Sequence, residues 1–552
     1  MKNISPVSRL WNLLLLERKE ITSIYFYAIL SGLVQLSVPI GVQAIIGFVL
    51  GASMVTSIYV LIFLVVLGVI IVGIMQINQM KIIEKIQQNI FIRYAFAFAE
   101  RIPSLDLKKM DNYYLPEKVN RFFDSINVQK GLSKLLLDIP LATIQILFGL
   151  ILLALYHPVF ILFGSLLVII LLIILRVTSR QGLSTSIQES NYKYSVVAWL
   201  QEMARTIKSF KFSQGSHFNL IKTDANALQY IKARTAHFKV LLFQYRSLVF
   251  FKVTITTAML TVGTYLLLDQ QLNIGEFIAA EIVILTVIGA IEKVITSLDS
   301  IYDVITGLEK LATVTESYVE KSGTIDFNVT NGVAVELNEF NFNFTNATKV
   351  LHNVDIAIPP YSLVAVSGSD GSGKSTLLRV LSGSYSEFQG AILINNIPIN
   401  NYNLEKLRNH TGCYFNQLDI FEGTIQENIN MGRTHITQEK IMHVAELLGI
   451  SEFINNMPAG LETTVDNNGK KLPHTLVRKI QLLRALCNNP SLILMEEPWL
   501  GLADYIKQNI IKYLKLQSHA TRLVASNDAD FITQCDYHIH ITNGNATITK
   551  VN

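Results

Sequence analysis

From Ile21 to Met80 the chain carries no Asp, Glu, Lys or Arg over 60 residues. A helix crossing a bilayer needs about 20 apolar residues, so this stretch predicts two spans, with a break near Gly51-Ala52-Ser53. A second charge-free stretch, Ile139 to Leu175, holds 37 residues and predicts two more, turning at Tyr156-His157-Pro158. Further apolar regions run from Val240 to Leu268 and from Phe277 to Leu298, which brings the total to six. Beyond Tyr318 the pattern changes. Apolar runs shorten, and strand-like segments at Val333–Leu337, Val354–Ile358, Leu363–Ser367, Ala391–Ile394 and Leu492–Met495 alternate with helical ones, an α/β pattern. The predicted organisation is a partly amphipathic interfacial segment over residues 1–20, an α-helical transmembrane domain over 21–318 and an α/β domain over 319–552.

Composition and charge sharpen this picture. Only 16% of the 552 residues are charged and half are hydrophobic, whereas soluble proteins carry about 25% charge. A buried soluble bundle does not account for 60 uncharged residues in a row. A net charge of +4 gives no case for a nucleic-acid partner. Its distribution is more informative: Lys81–Asp138 and Arg176–Lys239 each hold ten Lys or Arg, and the three connections on the opposite side hold none. The positive-inside rule then places both termini in the cytosol and makes the lipid bilayer the chain's surroundings. Folded as helical hairpins, the two basic segments would project about 40 Å. Their tips are expected near Tyr113-Tyr114-Leu115-Pro116 and between Trp199 and Phe210. The external loops are too short for a receptor domain. Cys413, Cys487 and Cys535 include no Cys-x-x-Cys pair, so neither a disulfide framework nor a zinc site is expected.

The sharpest local signal is Gly368-Ser369-Asp370-Gly371-Ser372-Gly373-Lys374-Ser375-Thr376, between the strand Leu363–Ser367 and an apolar helix. Glycines let backbone N–H groups wrap phosphates, and the helix N-terminus favours the anion. Lysine at the position of Lys374 reaches the β- and γ-phosphates, and the Ser375 hydroxyl suits Mg²⁺. A P-loop binding ATP with Mg²⁺ is the expectation. The strand Leu492–Met495 runs into Glu496-Glu497-Pro498. Two carboxylates at a strand end suit a metal ligand followed by a water-activating base.

These motifs resemble the ATP-binding-cassette (ABC) transporters, and the six-span arrangement resembles their exporter-type half-transporters, over nearly the whole chain. The implied fold is an exporter-type helical transmembrane domain plus an α/β P-loop nucleotide-binding domain. Within the family, Leu36-Ser37-Val38-Pro39-Ile40-Gly41 resembles the first helix of type I secretion transporters, and Val119–Asp124 resembles their first coupling loop. The resemblance implies export of a peptide or protein from a multi-pass position in a bacterial inner membrane. It implies as partners a second half-transporter, as homodimer or heterodimer, a membrane-fusion protein and an outer-membrane channel. Phe344 falls where the family stacks an aromatic on adenine, Gln417 matches the glutamine that touches Mg²⁺ and couples to the membrane helices, and Glu497 matches the catalytic glutamate.

Other motifs depart from the family. Its Leu-Ser-Gly-Gly-Gln signature reads Leu472-Pro473-His474-Thr475-Leu476 here, and the acidic residue usually found before it is Asn467. The metal-site Asp is Glu496, the switch histidine is Asn527 and the Ser-Ala-Leu-Asp contact is Leu500-Gly501-Leu502-Ala503. In this family each ATP lies between one subunit's phosphate loop and the other's signature, so these changes imply ATP binding with weak or absent hydrolysis. Three readings follow: a working exporter, a pseudo-ATPase subunit served by a competent partner, and a membrane scaffold that uses nucleotide as a signal. Within the last two spans, Lys252 and Glu292 fall at equal depth and are expected either to pair or to snorkel to the headgroups. Glu281 is too shallow to meet Lys252.

Overall fold

The structure is a computed structural model that describes residues 5–51, 55–110, 115–213, 217–329, 332–344, 349–416, 419–466 and 472–551. Its contacts divide the chain into two compact units, Met1–Pro103 with Tyr113–Ser317 and Ser104–Asn112 with Tyr318–Asn552.

Unit one contains six helical stretches long and apolar enough to cross a membrane: Arg18–Leu50, Thr56–Ser104, Leu115–Tyr156, Gly164–Arg205, Phe218–Leu268 and Ile274–Thr315. Most are 42 to 51 residues long, twice the length a bilayer needs, and the excess carries the basic residues. The first is broken at Leu36 into helices Arg18–Gln35 and Ser37–Leu50. Pro39 is the cause, since it has no N–H to give to the Gln35 carbonyl. The span pair closes tightly at Gly41, where a Cβ would lie 2.3 Å from Val65 Cγ2. The turn expected at Tyr156-His157-Pro158 is found, between helices Asp124–Tyr156 and Val159–Arg205. Gly51 ends the helix Ser37–Leu50 as expected, while Ala52, Ser53, Tyr113 and Tyr114 lie outside the described residues.

The second hairpin's long helix breaks at Thr206, inside the stretch expected for its tip. Trp199 is still inside a helix that runs to Arg205, and a short helix Ile207–Phe212 follows. The indole packs edge-on against Phe210 and Phe218, and its Nε1 donates to Thr223 Oγ1 at 3.0 Å. It therefore closes the two arms together rather than marking their tip.

Lys252 and Glu292 do pair, Nζ donating to Oε2 at 2.6 Å. Lys252→Glu should lower the amount of inserted protein several-fold, because two carboxylates would then face each other where desolvation strengthens their repulsion. Adding Glu292→Lys should recover part of the loss, read as membrane-fraction yield. Harmless single changes would show that the contact carries no energy.

Val119–Asp124, matched above to a coupling loop, stays in unit one. Asp124 is buried there, accepting from Tyr194 Oη at 2.6 Å and Lys193 Nζ at 3.3 Å. The segment that belongs to unit two is Ser104–Asn112. Asp106 N donates to Tyr318 O at 3.1 Å, Lys108 Nζ to Glu387 O at 2.8 Å, and Lys109 Nζ lies 2.7 Å from Glu387 Oε1. Asp106 Oδ1 caps the short turn by accepting from Lys108 N and Lys109 N.

Unit two contains strands β1 (Val335–Asn343), β2 (Lys349–Ile358), β3 (Leu363–Gly368), β4 (Gln389–Ile394), β5 (Ile397–Pro398), β6 (Thr411–Tyr414), β7 (Gly423–Thr424), β8 (Thr464–Val465), β9 (Leu492–Glu496), β10 (Thr521–Ala525), β11 (Tyr537–Thr542) and β12 (Asn545–Lys550). The main sheet has the order β12-β11-β3-β10-β9-β6 and is parallel except at β12. A second sheet, β2-β1-β4-β5, is antiparallel. β3, β9 and β10 are buried along their whole length, as strands covered on both faces must be. Burial pushes the Cys413 and Cys487 thiols up to about 12, so both stay protonated and inert.

Candidate functional site

The parallel order sets three adjacent strand ends side by side. β3 ends at Gly368, β10 at Ala525 and β9 at Glu496, and β10 lies between the other two. The residues that follow each strand therefore meet at the carboxyl edge, where α/β sheets collect their ligands.

The loop after β3 needs its glycines. Gly368, Gly371 and Gly373 take φ of 151°, 78° and 110°, a region costly for side chains. A Cβ on Gly368 would also lie 2.4 Å from Ile541 O, and one on Gly373 would lie 2.8 Å from Leu351 Cδ2. The helix Lys374–Leu381 then starts, burying Leu377, Leu378, Val380 and Leu381. Its first N–H groups have no intrahelical acceptor and present partial positive charge. Lys374 folds back over the loop, Nζ donating to Gly368 O at 2.5 Å and Ser369 O at 3.0 Å. Ser369 and Asp370 are exposed, Ser375 is half-buried and Thr376 is buried in the helix. Ser372 Oγ is buried without a hydrogen-bond partner among the described residues.

Hydrogen bonds tie the loop to the neighbouring strand ends. Asn527 Oδ1 accepts from Gly368 N at 3.0 Å. Ser526 N donates to Val366 O at 3.0 Å, and Ser526 Oγ donates to Glu497 Oε2 at 3.0 Å. Glu497, at φ 42°, donates its own N–H to Ala525 O at 2.9 Å. Glu496 is 2% exposed. Its Oε2 accepts from Asn416 N at 3.2 Å, and Oε1 lies 3.5 Å from Arg379 Nε with no hydrogen-bond partner among the described residues. The orphaned Oε1 and the Ser375 hydroxyl are hard oxygen donors, the kind Mg²⁺ prefers, so the residues present fit that cation.

Gln417 and Asn467 lie outside the described residues. Phe344 is half-buried in edge contact with Phe342 and Tyr385, at centroid separations of 5.1 and 5.7 Å. Its hairpin neighbour β2 reaches the loop through Leu351. The helix His474–Leu486 begins after Pro473, which gives it no side-chain cap, with His474 and Thr475 exposed at its start. Sequence reasoning missed Ser526, Arg379 and Asn416, none of which differs in type from ordinary neighbours. It also missed His538 and His540, whose period-two spacing puts them on one face of β11.

Those two histidines lie behind the loop. Ser367 Oγ is 2.7 Å from His538 Nε2 and 2.8 Å from His540 Nδ1. Burial, and then the charge of His540, hold the His538 imidazole below its ordinary value. The folded value is the lower one, so the unfolded chain binds the proton first. This stability is present above about pH 6.5 and is lost as pH falls through the folded value. The thermal midpoint of the purified chain should therefore drop on acidification below about pH 6.5, and His538→Gln should remove part of that slope. An unchanged slope in the variant would contradict the assignment.

Residues 351–500 match the family described as ABC transporter. The chain is 29% identical over 304 residues to an uncharacterized ABC transporter ATP-binding protein, YknV, of Bacillus subtilis, covering 52% of this chain and 50% of that protein. It is 31% identical over 224 residues to an ATP-dependent lipid A-core flippase of Saccharophagus degradans, covering 40% and 38%. The chain thus spans about half or less of the length of the curated relatives it matches. A solved bacterial Atm1-family ABC exporter with ATP bound superposes with a TM-score of 0.87 at 17% identity, over 97% of this chain and 95% of that one. The fold is that of an ABC exporter. Six helices able to span a membrane and an α/β nucleotide-binding domain are the two parts of that fold.

Proposed function

We propose that the chain is one half of a dimeric ABC exporter that binds ATP with Mg²⁺ and hydrolyses it slowly. The observation that carries this reading is the meeting of Lys374, Glu496, Glu497 and Asn527 at one edge of the sheet, at and beyond the ends of strands β3, β9 and β10. Loop N–H groups and Lys374 bind the phosphates, Ser375 and Glu496 would hold Mg²⁺, with Gln417 as the further candidate, and Phe344 lies by resemblance at the adenine. When held by these oxygens, Mg²⁺ would supply charge neutralisation for the nucleotide's phosphates. Glu497, aimed by Ser526 Oγ, orients the attacking water and takes its proton.

Slow turnover rests on two features of the same site. Asn527 spends its carbonyl on the Gly368 N–H and, unlike a histidine, holds no exchangeable charge near neutrality. The helix at Pro473 would meet the partner's nucleotide with a proline and two side chains where the family presents serine and glycine. A heterodimer with an intact half would then keep two partly competent sites, whereas a homodimer would have two that are doubly altered. The cargo is a peptide or protein, supported by the likeness of Leu36–Gly41 to type I secretion transporters, and both termini are cytosolic, supported by the basic segments. Phosphate release by the purified chain, alone and mixed with candidate partner halves, tests the reading. Brisk turnover alone would overturn the slow-hydrolysis part, and no ATP binding would overturn all of it.

A further inference from the structure

Helices Val159–Arg205 and Phe218–Leu268 leave an open groove between them. One stretch of it, about 550 Å³, is walled by apolar side chains such as Ile173, Ile174 and Phe250, with Arg246 the one charge. The next stretch, about 680 Å³, carries Gln181, Thr185, Lys232 and Lys239. Val177 and Phe243 line both, so the groove is continuous and changes character along its length. Lys232, Lys239 and Arg246 recur every seven residues, which puts them on one face of the helix. All three are exposed, and none forms an ion pair among the described residues. Phe243 and Phe250 are 54% and 75% exposed on the same stripe.

The dimensions match a lipid. From Phe243 to Thr254 the helix rises about 16 Å, close to one leaflet of a hydrocarbon core about 30 Å thick. An arginine inside the apolar stretch is costly there unless an anion meets it, and basic clefts between spans at the cytosolic side suit anionic headgroups. We propose that this groove holds one anionic phospholipid of the cytosolic leaflet. Its phosphate lies between Lys239 and Arg246, and its acyl chains lie along Ile173, Ile174 and Phe250. The proposal rests on the orientation read from the basic segments and is independent of the nucleotide site.

Native mass spectrometry of the full chain in detergent, with dioleoyl phosphatidylglycerol or dioleoyl phosphatidylcholine added, tests it. The first lipid should bind about tenfold tighter or more. The variant Lys232→Gln/Lys239→Gln/Arg246→Gln should lose that preference, while Lys208→Gln/Lys211→Gln/Lys222→Gln should keep it. Should the first variant fail to fold, Val177→Trp, which fills the junction of the two stretches and leaves every cation in place, should also lower phosphatidylglycerol binding. Equal binding of the two lipids, or loss of preference in the control variant, would overturn the proposal. So would displacement of phosphatidylglycerol by inorganic phosphate alone, which would mark an anion site without a lipid. Disulfide-linked dimers of Phe243→Cys would assign the groove to a second copy instead.

Discussion

Replacing Lys374 by Ala should abolish detectable ATP binding by the purified chain. Hydrogen bonds from a charged donor contribute about 1.5–3 kcal/mol each, and an ammonium between two phosphates makes more than one, so a loss of about a hundredfold is the minimum expected. In the structure the ammonium rests on Gly368 O and Ser369 O, carbonyls it can exchange for phosphate oxygens without moving the glycine backbone. The variant keeps the helix, since alanine is a strong helix former, so an unchanged thermal midpoint should accompany the lost binding. Labelled ATP in filter binding checks both proteins. Equal affinity in the variant, or no binding by the parent at millimolar nucleotide, would show that the loop is vestigial.

The second large effect concerns turnover. The chain alone should hydrolyse ATP below about 1 s⁻¹, the low end for ordinary enzymes. Asn527→His should not rescue it. The substitution removes the acceptor of the Gly368 N–H, at a cost on the order of 1 kcal/mol. It also leaves untouched the helix that starts at Pro473, which a second copy would present to the nucleotide. Restoring the Ser-Gly-Gly pattern at Pro473–Thr475 together with Asn527→His should raise the rate more than either change alone. A parent rate well above 1 s⁻¹, or full rescue by the single change, would contradict this account.

The membrane half was legible because lipid leaves a coarse trace. Sixty residues without a charge have few physical explanations, and the turn at His157-Pro158 is written in a proline that has no N–H to continue the preceding helix. The phosphate loop was legible for the opposite reason, since its glycines are required at named positions. Depth arithmetic set Lys252 level with Glu292, and the structure decides for pairing over snorkelling. The joining role of Trp199 was not legible, because a tryptophan looks the same whether it marks a bend or packs two arms together. The reach of Ser104–Asn112 into unit two was hidden because its signal, an aspartate before two lysines, is ordinary helix capping. Strands β6 and β10 are four and five residues long, too short for periodicity to separate from buried helix. The hydrogen bond from Ser526 to Glu497 depends on two strand ends being neighbours, which no local pattern records.

The place of Ser104–Asn112 bears on how the chain is made. A ribosome emits Lys108 and Lys109 about 280 residues before Glu387 exists to receive them, at about 5–20 residues per second. During that interval, tens of seconds at the slower rate, the segment lacks its contacts with Glu387, and unit two cannot finish folding as a contiguous stretch of newly made chain. A fragment that begins at Tyr318 would lack the Asp106 N–H that meets the Tyr318 carbonyl and the lysines that meet Glu387. Supplying residues 104–112 as a separate peptide should therefore raise that fragment's thermal midpoint in a dose-dependent way.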